Sequence, residues 1–272
     1  MERRDDRSGF TDVDRAADPG HFVRLLDTLT AMDFIRTYKL QSYELLDVRE
    51  GDHLLDLGCG NGDDALELAR RVGPNGRVVG VDRSETIVAE ARRRAEGSGR
   101  PVEFRVENAH HLDFADATFD GCRADRVLHH LEQPRQALAE LVRVAHSGAR
   151  VVTCEPDFET ALVDSPSLPV TRAILNVNCD TYQNGWIGRQ LPALFKEVGL
   201  VDVAVTPFTV LLGDYATANQ VLGLEASAQR ARDKGLVAPA EATEWIEQLQ
   251  EADRAGRFFG ALTAFIQSGR KP

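Results

Sequence analysis

The stretch "LLDLGCGNGDD", Leu54 to Asp64, restricts the fold of this chain more than any other segment. An apolar run ends in Gly58, Gly60 and Gly62, and helical spacing follows at once in Ala65, Leu68, Ala69 and Val72. Glycine admits positive φ and has no Cβ, so a strand that stops this way lets backbone approach a ligand. His53–Leu57 reads as the strand, and Gly73-Pro74-Asn75-Gly76 as the stop of the helix.

The same unit recurs along the chain. Arg77–Val81 reads as a second strand, followed by a helix burying Val88, Ala91 and Ala95. Val102–Val106 and Phe119–Asp125 read as the third and fourth strands. Pro134 opens a helix that buries Leu138, Leu141, Val142 and Ala145 and stops at Ser147-Gly148, before a fifth strand, Ala149–Cys154. Short apolar strands alternating with helices imply parallel pairing, helices on both faces and a ligand site at the carboxyl ends of the strands. The expected fold class is α/β, a Rossmann-like doubly wound sheet.

Flanking segments add helices. Residues 1–20 read as a polar arm, and 21–47 as helical, with Phe22, Leu25, Leu26 and Leu29 on one face and a continuation or restart over Ile35–Leu46. Residues 1–50 are thus expected as arm and helical cap, and 51–272 as the sheet domain. Past Glu155 the spacing predicts helices over Thr171–Tyr182 and Gln190–Val198, a strand over Val201–Leu212, and mostly helix from Tyr215 to Gly256. A final strand is expected over Arg257–Gln267. Helical insertions at about 158–188 and 215–256 are expected to form a lid.

Charge narrows the partners. The net charge of −11 comes without a Lys/Arg block, which argues against nucleic acid. Arg92, Arg93 and Arg94 read as the solvated face of a helix. No apolar run approaches the ~20 residues of a membrane span, and the charged N-terminus lacks an apolar signal core, so a cytoplasmic protein is expected. Cys59, Cys122, Cys154 and Cys179 are too scattered for a zinc site or disulfide framework, and no metal-spaced cluster stands out.

The glycine loop fits some ligands poorly. It lacks the lysine of a P-loop, and Asp63 stands where a dinucleotide fingerprint needs a small residue. Carboxylates at Asp63 and Asp64 would repel a pyrophosphate at that helix N-terminus. What remains is Asp56, Gly58, Gly60 and Gly62, with Asp82 closing the second strand, where a carboxylate can accept both ribose hydroxyls. The pattern suits a nucleoside with a zwitterionic tail and no phosphate. Each piece has a plainer use: the glycines as a packing turn, Asp82 as a helix cap, Asn108 as a turn residue.

At these residues the chain resembles the class I S-adenosylmethionine-dependent methyltransferases, in particular the type-11 or ubiquinone/menaquinone-methyltransferase-like small-molecule group. "VENAHHLDF" is similar to the segment that brackets adenine, with Asn108-Ala109 in place of Asp-Ala, and "RADRVLHHLEQP" to the segment touching the methionine moiety. "NGWIGRQLPALFKEVGL" and "GRFFGALTAFIQSGRKP" resemble the later part of such proteins. The resemblance implies a seven-stranded sheet with its last strand antiparallel, S-adenosylmethionine as cofactor and S-adenosylhomocysteine as its product. It implies cofactor contacts from Asp56, Gly58, Gly60, Asp82, Arg83, Asn108, Ala109 and Arg126.

Methyl transfer from a sulfonium asks the protein for alignment, desolvation and, for some acceptors, a base. His129 and His130 follow the fourth strand, with His130 the first candidate base and Glu155 and Asp157 competing. These histidines could equally pack against the cofactor. Tyr38, Tyr182, Trp186 and Arg189 are candidate lid residues and Asp157 a candidate substrate contact, although aromatics there could be ordinary packing. His110 and His111 are expected at the adenine edge. The expected reaction is methylation of a small-molecule acceptor, oxygen preferred and carbon or nitrogen possible, in specialised or cofactor biosynthesis. Alternatives are a non-methylating reaction such as cyclisation on the same cofactor, or an NAD-dependent oxidoreductase. A homodimer is possible on this reading.

Overall fold

The computed structural model describes Phe10 and residues 12–272. Residues 1–9 and 11 of the expected arm lie outside the described residues.

The "LLDL" run forms β1 (His53–Leu57), the centre of the sheet. Side chains alternate across a strand, and here both faces are buried: Leu54 joins one core and Leu55 and Leu57 another. β2 (Arg77–Asp82), β3 (Val102–Val106), β4 (Phe119–Asp125) and β5 (Ala145–Pro156) lie parallel to it in the order β3-β2-β1-β4-β5. A two-residue strand, β6 (Leu162–Val163), and the long strands β7 (Val201–Leu212) and β8 (Gly260–Arg270) complete it. β8 runs antiparallel to β5, β6 and β7.

Seven of these strands match the expected sheet; β6, pairing Leu162 with Ala261, is the addition. β8 starts later than Arg257 and continues to Arg270, since its end pairs with both Arg150 and Val201.

One face carries α3 (Asp63–Val72), α4 (Glu85–Ala95) and α2 (Asp33–Leu45), whose apolar sides meet Leu54, Val78 and Val152. The other carries α5 (Pro134–Val144) and α7 (Ile187–Glu197), packed on Leu55, Cys122 and Val151. Pro192 inside α7 has no N–H for the Gly188 carbonyl, and Gln267 Nε2 donates to that carbonyl instead at 2.8 Å. A third core gathers α6 (Leu168–Cys179), α8 (Tyr215–Leu222), α9 (Leu224–Asp233) and α10 (Pro239–Arg254) around Trp245, Ile174 and Leu224. α6 begins before the expected Thr171, because Pro169 suits a first helical turn.

α1 (Gly20–Thr30) and α2 form two helices, broken at extended Met32. Arg94 departs from the solvated reading of its run. Its guanidinium bonds both oxygens of Asp27, at 2.7 and 3.0 Å, and so ties α4 to α1. The four cysteines are buried and free. Among the described residues, no helix is long and apolar enough to cross a membrane.

Candidate active site

In the sheet, β1 has β2 on one side and β4 on the other, both parallel to it, so the strand order reverses between β1 and β4. Such a switch point leaves a crevice at the carboxyl ends of the strands. A cavity of about 950 Å³ lies there, and α1 and α2 contribute Leu25, Leu29, Tyr38 and Lys39 to its wall.

The glycine loop forms the floor. Gly58 has φ +67°, and a Cβ on it would stand 2.2 Å from Val127 Cγ2, so no larger residue fits. Gly62, at φ +88°, caps α3, and a Cβ there would meet Phe104 at 2.7 Å. Gly60 N–H donates to Asp82 Oδ2 at 3.3 Å, and Ser84 N–H to Asp82 Oδ1 at 3.1 Å. Burial pushes the Asp82 carboxyl above its usual range, against the opposing amides of Ser84, Gly60 and Arg83. Asp82 does not cap α4: Ser84 does, accepting Ile87 N–H, while Asp14 accepts Glu85 and Thr86 N–H.

Gly58, Gly60, Asp82, Arg83, Asn108, Ala109 and Arg126 all line the cavity. Asn108 Oδ1 accepts His110 N–H at 3.0 Å, so its oxygen is already engaged in a local turn. His110 Nε2 and Arg126 Nε are buried in the wall with no hydrogen-bond partner. Arg126, at φ +57°, lies 3.6 Å from Asp125. Burial opposes its charge, and the Tyr38 oxygen and Asp125 carboxylate outweigh that opposition.

Asp56 is placed differently. It lies beneath the floor, outside the cavity lining, with Arg123 Nη1 3.2 Å from its Oδ1. Arg123 is fully buried and also contacts Asp64 at 3.3 Å and Asp125 at 3.2 Å. Lys39 joins the cluster, 2.7 Å from Asp64, and Tyr43 bonds the same carboxylate. Burial raises Asp56, whereas Arg123 and Lys39 overcome burial and hold Asp64 low. Asp64 thus turns into an ion cluster that fixes the loop from below, and of the two aspartates Asp63 is the more exposed.

Between β4 and β5 stands a second polar group. Glu155 ends buried on β5; its Oε1 accepts Val127 N–H at 2.8 Å and Leu128 N–H at 2.7 Å, and its Oε2 lies 2.6 Å from His129 Nδ1. Burial pushes His129 down to about 3, with Arg126 adding to the effect, and pushes Glu155 up against those two amides. Burial thus outweighs the amide donors and holds Glu155 up at about 8, so the pair carries a single charge at most at neutral pH. When Glu155 is ionised, His129 donates Nδ1–H to it and Nε2 is left as an acceptor. His130 is half-buried and also held well below its usual range, but among the described residues no hydrogen bond orients its ring, which lies 3.9 Å from that of His129.

Aromatic rings enclose the dyad. Tyr182 stacks on Phe158 at 4.1 Å, and both stand edge-on to His129, at 5.2 and 5.7 Å. Tyr38 donates to Asp125 at 2.9 Å and stacks on Phe208. The cavity does not include Asp157, Trp186 or Arg189. Asp157 is fully buried and bound by Arg189, which also pairs with Glu159, so this group fastens α7 to the turn after β5. Trp186 is 49% exposed. Lys39, Asp125, Phe158 and Phe208 line the cavity without having been expected there. Lys39 had a signal: it shares a helical face with Ile35, Tyr38 and Ser42, all buried.

The chain matches the family model described as a methyltransferase domain over residues 49–205. It is 40% identical over 245 residues to an uncharacterized 37.1 kDa protein in transposon Tn4556 of Streptomyces fradiae, covering 90% of this chain and 70% of that one. It is 31% identical over 192 residues to demethylmenaquinone methyltransferase of Halalkalibacterium halodurans, covering 64% of this chain and 78% of that one. Its fold is similar to that of Haemonchus contortus phosphoethanolamine N-methyltransferase 2 solved with S-adenosyl-L-methionine. The TM-score is 0.62 at 17% identity, covering all of this chain and 60% of that one.

Proposed function

Since the chain belongs to the S-adenosylmethionine-dependent methyltransferase family, we propose that it methylates a hydroxyl oxygen of a small molecule, with His129 as general base and Glu155 as its orienting partner. The observation that carries this reading is the 2.6 Å contact between His129 Nδ1 and Glu155 Oε2 in the wall of the same cavity as Gly58 and Asp82. A biosynthetic role fits such a reaction.

The donor set of the cavity fits the cofactor. Asp82 can accept the ribose hydroxyls on the lone pairs its amide contacts leave open. Arg126 Nε, buried without a hydrogen-bond partner, suits the carboxylate of the methionine end. Ile87 and Val106 supply apolar walls, and Asn108, Ala109 and His110 an edge for the base. The cofactor, when bound, supplies a methyl group activated by its sulfonium.

The chain's own work is orientation, exclusion of water and proton removal. His129 Nε2 takes the proton of the acceptor hydroxyl as the methyl passes to oxygen, and the ionised Glu155, accepting Nδ1–H, offsets the burial that otherwise holds His129 low. Tyr182 and Phe158 keep water from the pair.

The test is methyl-labelled S-adenosylmethionine with a panel of phenols and alcohols. Label is expected in an ether product, and His129→Gln should lower kcat by about 10²–10⁴-fold with S-adenosylhomocysteine affinity unchanged. Product formed without label would replace methyl transfer by a cyclisation-type reaction. Full activity in His129→Gln would remove the base.

A further inference from the structure

Sheet order divides the cavity. Asp82 and Asn108 stand over β2 and β3 on one side of the switch point, while Phe208 and Leu262 belong to β7 and β8 on the other. His129 and Glu155, at the ends of β4 and β5, lie between the two. The charges divide the same way. Every Asp, Glu, Lys, Arg and His that lines the cavity comes from Glu155 or earlier in the chain. From Pro156 onward the wall is Phe158, Tyr182, Phe208 and Leu262 with their apolar neighbours, and its only amide side chains are Gln183 and Gln220.

Resting on the cofactor and base reading above, we propose that the acceptor is an uncharged, planar, largely apolar molecule bearing a phenol or enol hydroxyl. Removing a charged group from water without a counter-charge is costly, and the part of the wall from Pro156 onward holds none. Flat rings, by contrast, gain from stacking partners, and two stacked pairs, Phe158–Tyr182 and Tyr38–Phe208, stand here. A phenol or enol also suits a neutral imidazole better than an alcohol does, because its proton is far more acidic. Gln183 and Gln220 can bond a carbonyl or second hydroxyl on the ring system without asking for charge. Phosphorylated and carboxylated acceptors are disfavoured by the same wall.

The test uses 1-naphthol and 1-naphthyl phosphate, matched in ring and opposed in charge. Isothermal titration follows each into the full chain with and without saturating S-adenosylhomocysteine, after titration of that nucleoside alone. 1-Naphthol is expected to bind at least about ten-fold tighter than the phosphate. Gln220→Lys, which adds a cation to the half-buried wall, should narrow that ratio several-fold while leaving S-adenosylhomocysteine affinity unchanged. Equal or tighter binding of the phosphate, no binding of 1-naphthol, or an unchanged ratio in Gln220→Lys would overturn the proposal. Failure of S-adenosylhomocysteine to bind counts instead against the cofactor reading, and the 1-naphthol titration without it still reports on the wall.

Discussion

His129 and Glu155 share one contact of 2.6 Å, and burial leaves a pH signature on it. The folded chain holds His129 down to about 3, whereas an unfolded histidine titrates near 6.5. Below that value the unfolded state binds a proton that the fold refuses. The contribution is therefore fully present above the unfolded pKa and is lost progressively as pH falls toward the folded one. Urea unfolding of wild type and His129→Gln between about pH 7 and pH 5 should diverge, the wild type losing up to about 1.4 kcal/mol per unit more. Parallel curves would mean that the folded site admits the proton. The sequence offered the two histidines as adjacent candidate bases, with His130 ahead. What separates them is Glu155, 26 positions later. Its approach depends on the register of β4 against β5, where Asp125 faces Cys154, and no local pattern encodes that register.

Single elements were easier to read than the bonds that join them. Alternation of short apolar strands with amphipathic helices revealed the parallel sheet, because both periods follow from local geometry. The ties between helices come from charged side chains that look like surface until a second element covers them. Arg94 stood in a run of three arginines, and only the approach of α1 makes it a partner for Asp27. Lys39 on α2 is the stronger case, buried against Asp64 at 2.7 Å and near Asp125 at 3.8 Å. Removing one member of a buried ion pair costs about 3–5 kcal/mol. Asp64 keeps Arg123 and Tyr43, so Lys39→Met should fall at the low end, about 3 kcal/mol, in urea unfolding followed by circular dichroism. A loss near zero would show that α2 is held by its apolar side alone.

Across the described residues, three of the cores support different parts of one cavity. The two sheet faces hold the glycine loop, through Leu54, Leu57 and Phe104. The core of α6, α8, α9 and α10 includes Phe158, Tyr182 and Leu262, which belong to the uncharged wall. This division predicts that binding of the two ligands can be uncoupled from far away. Trp245 is almost fully buried in the third core, and its indole N–H donates to Thr171 Oγ1 at 2.9 Å. Trp245→Ala leaves a large cavity and should cost about 3–5 kcal/mol of stability. The wall above it should loosen, so 1-naphthol affinity should fall several-fold while S-adenosylhomocysteine affinity holds, both read by titration well below the unfolding midpoint. Parallel losses for both ligands would mean that the cores yield together, and that the wall and the glycine loop form a single mechanical unit.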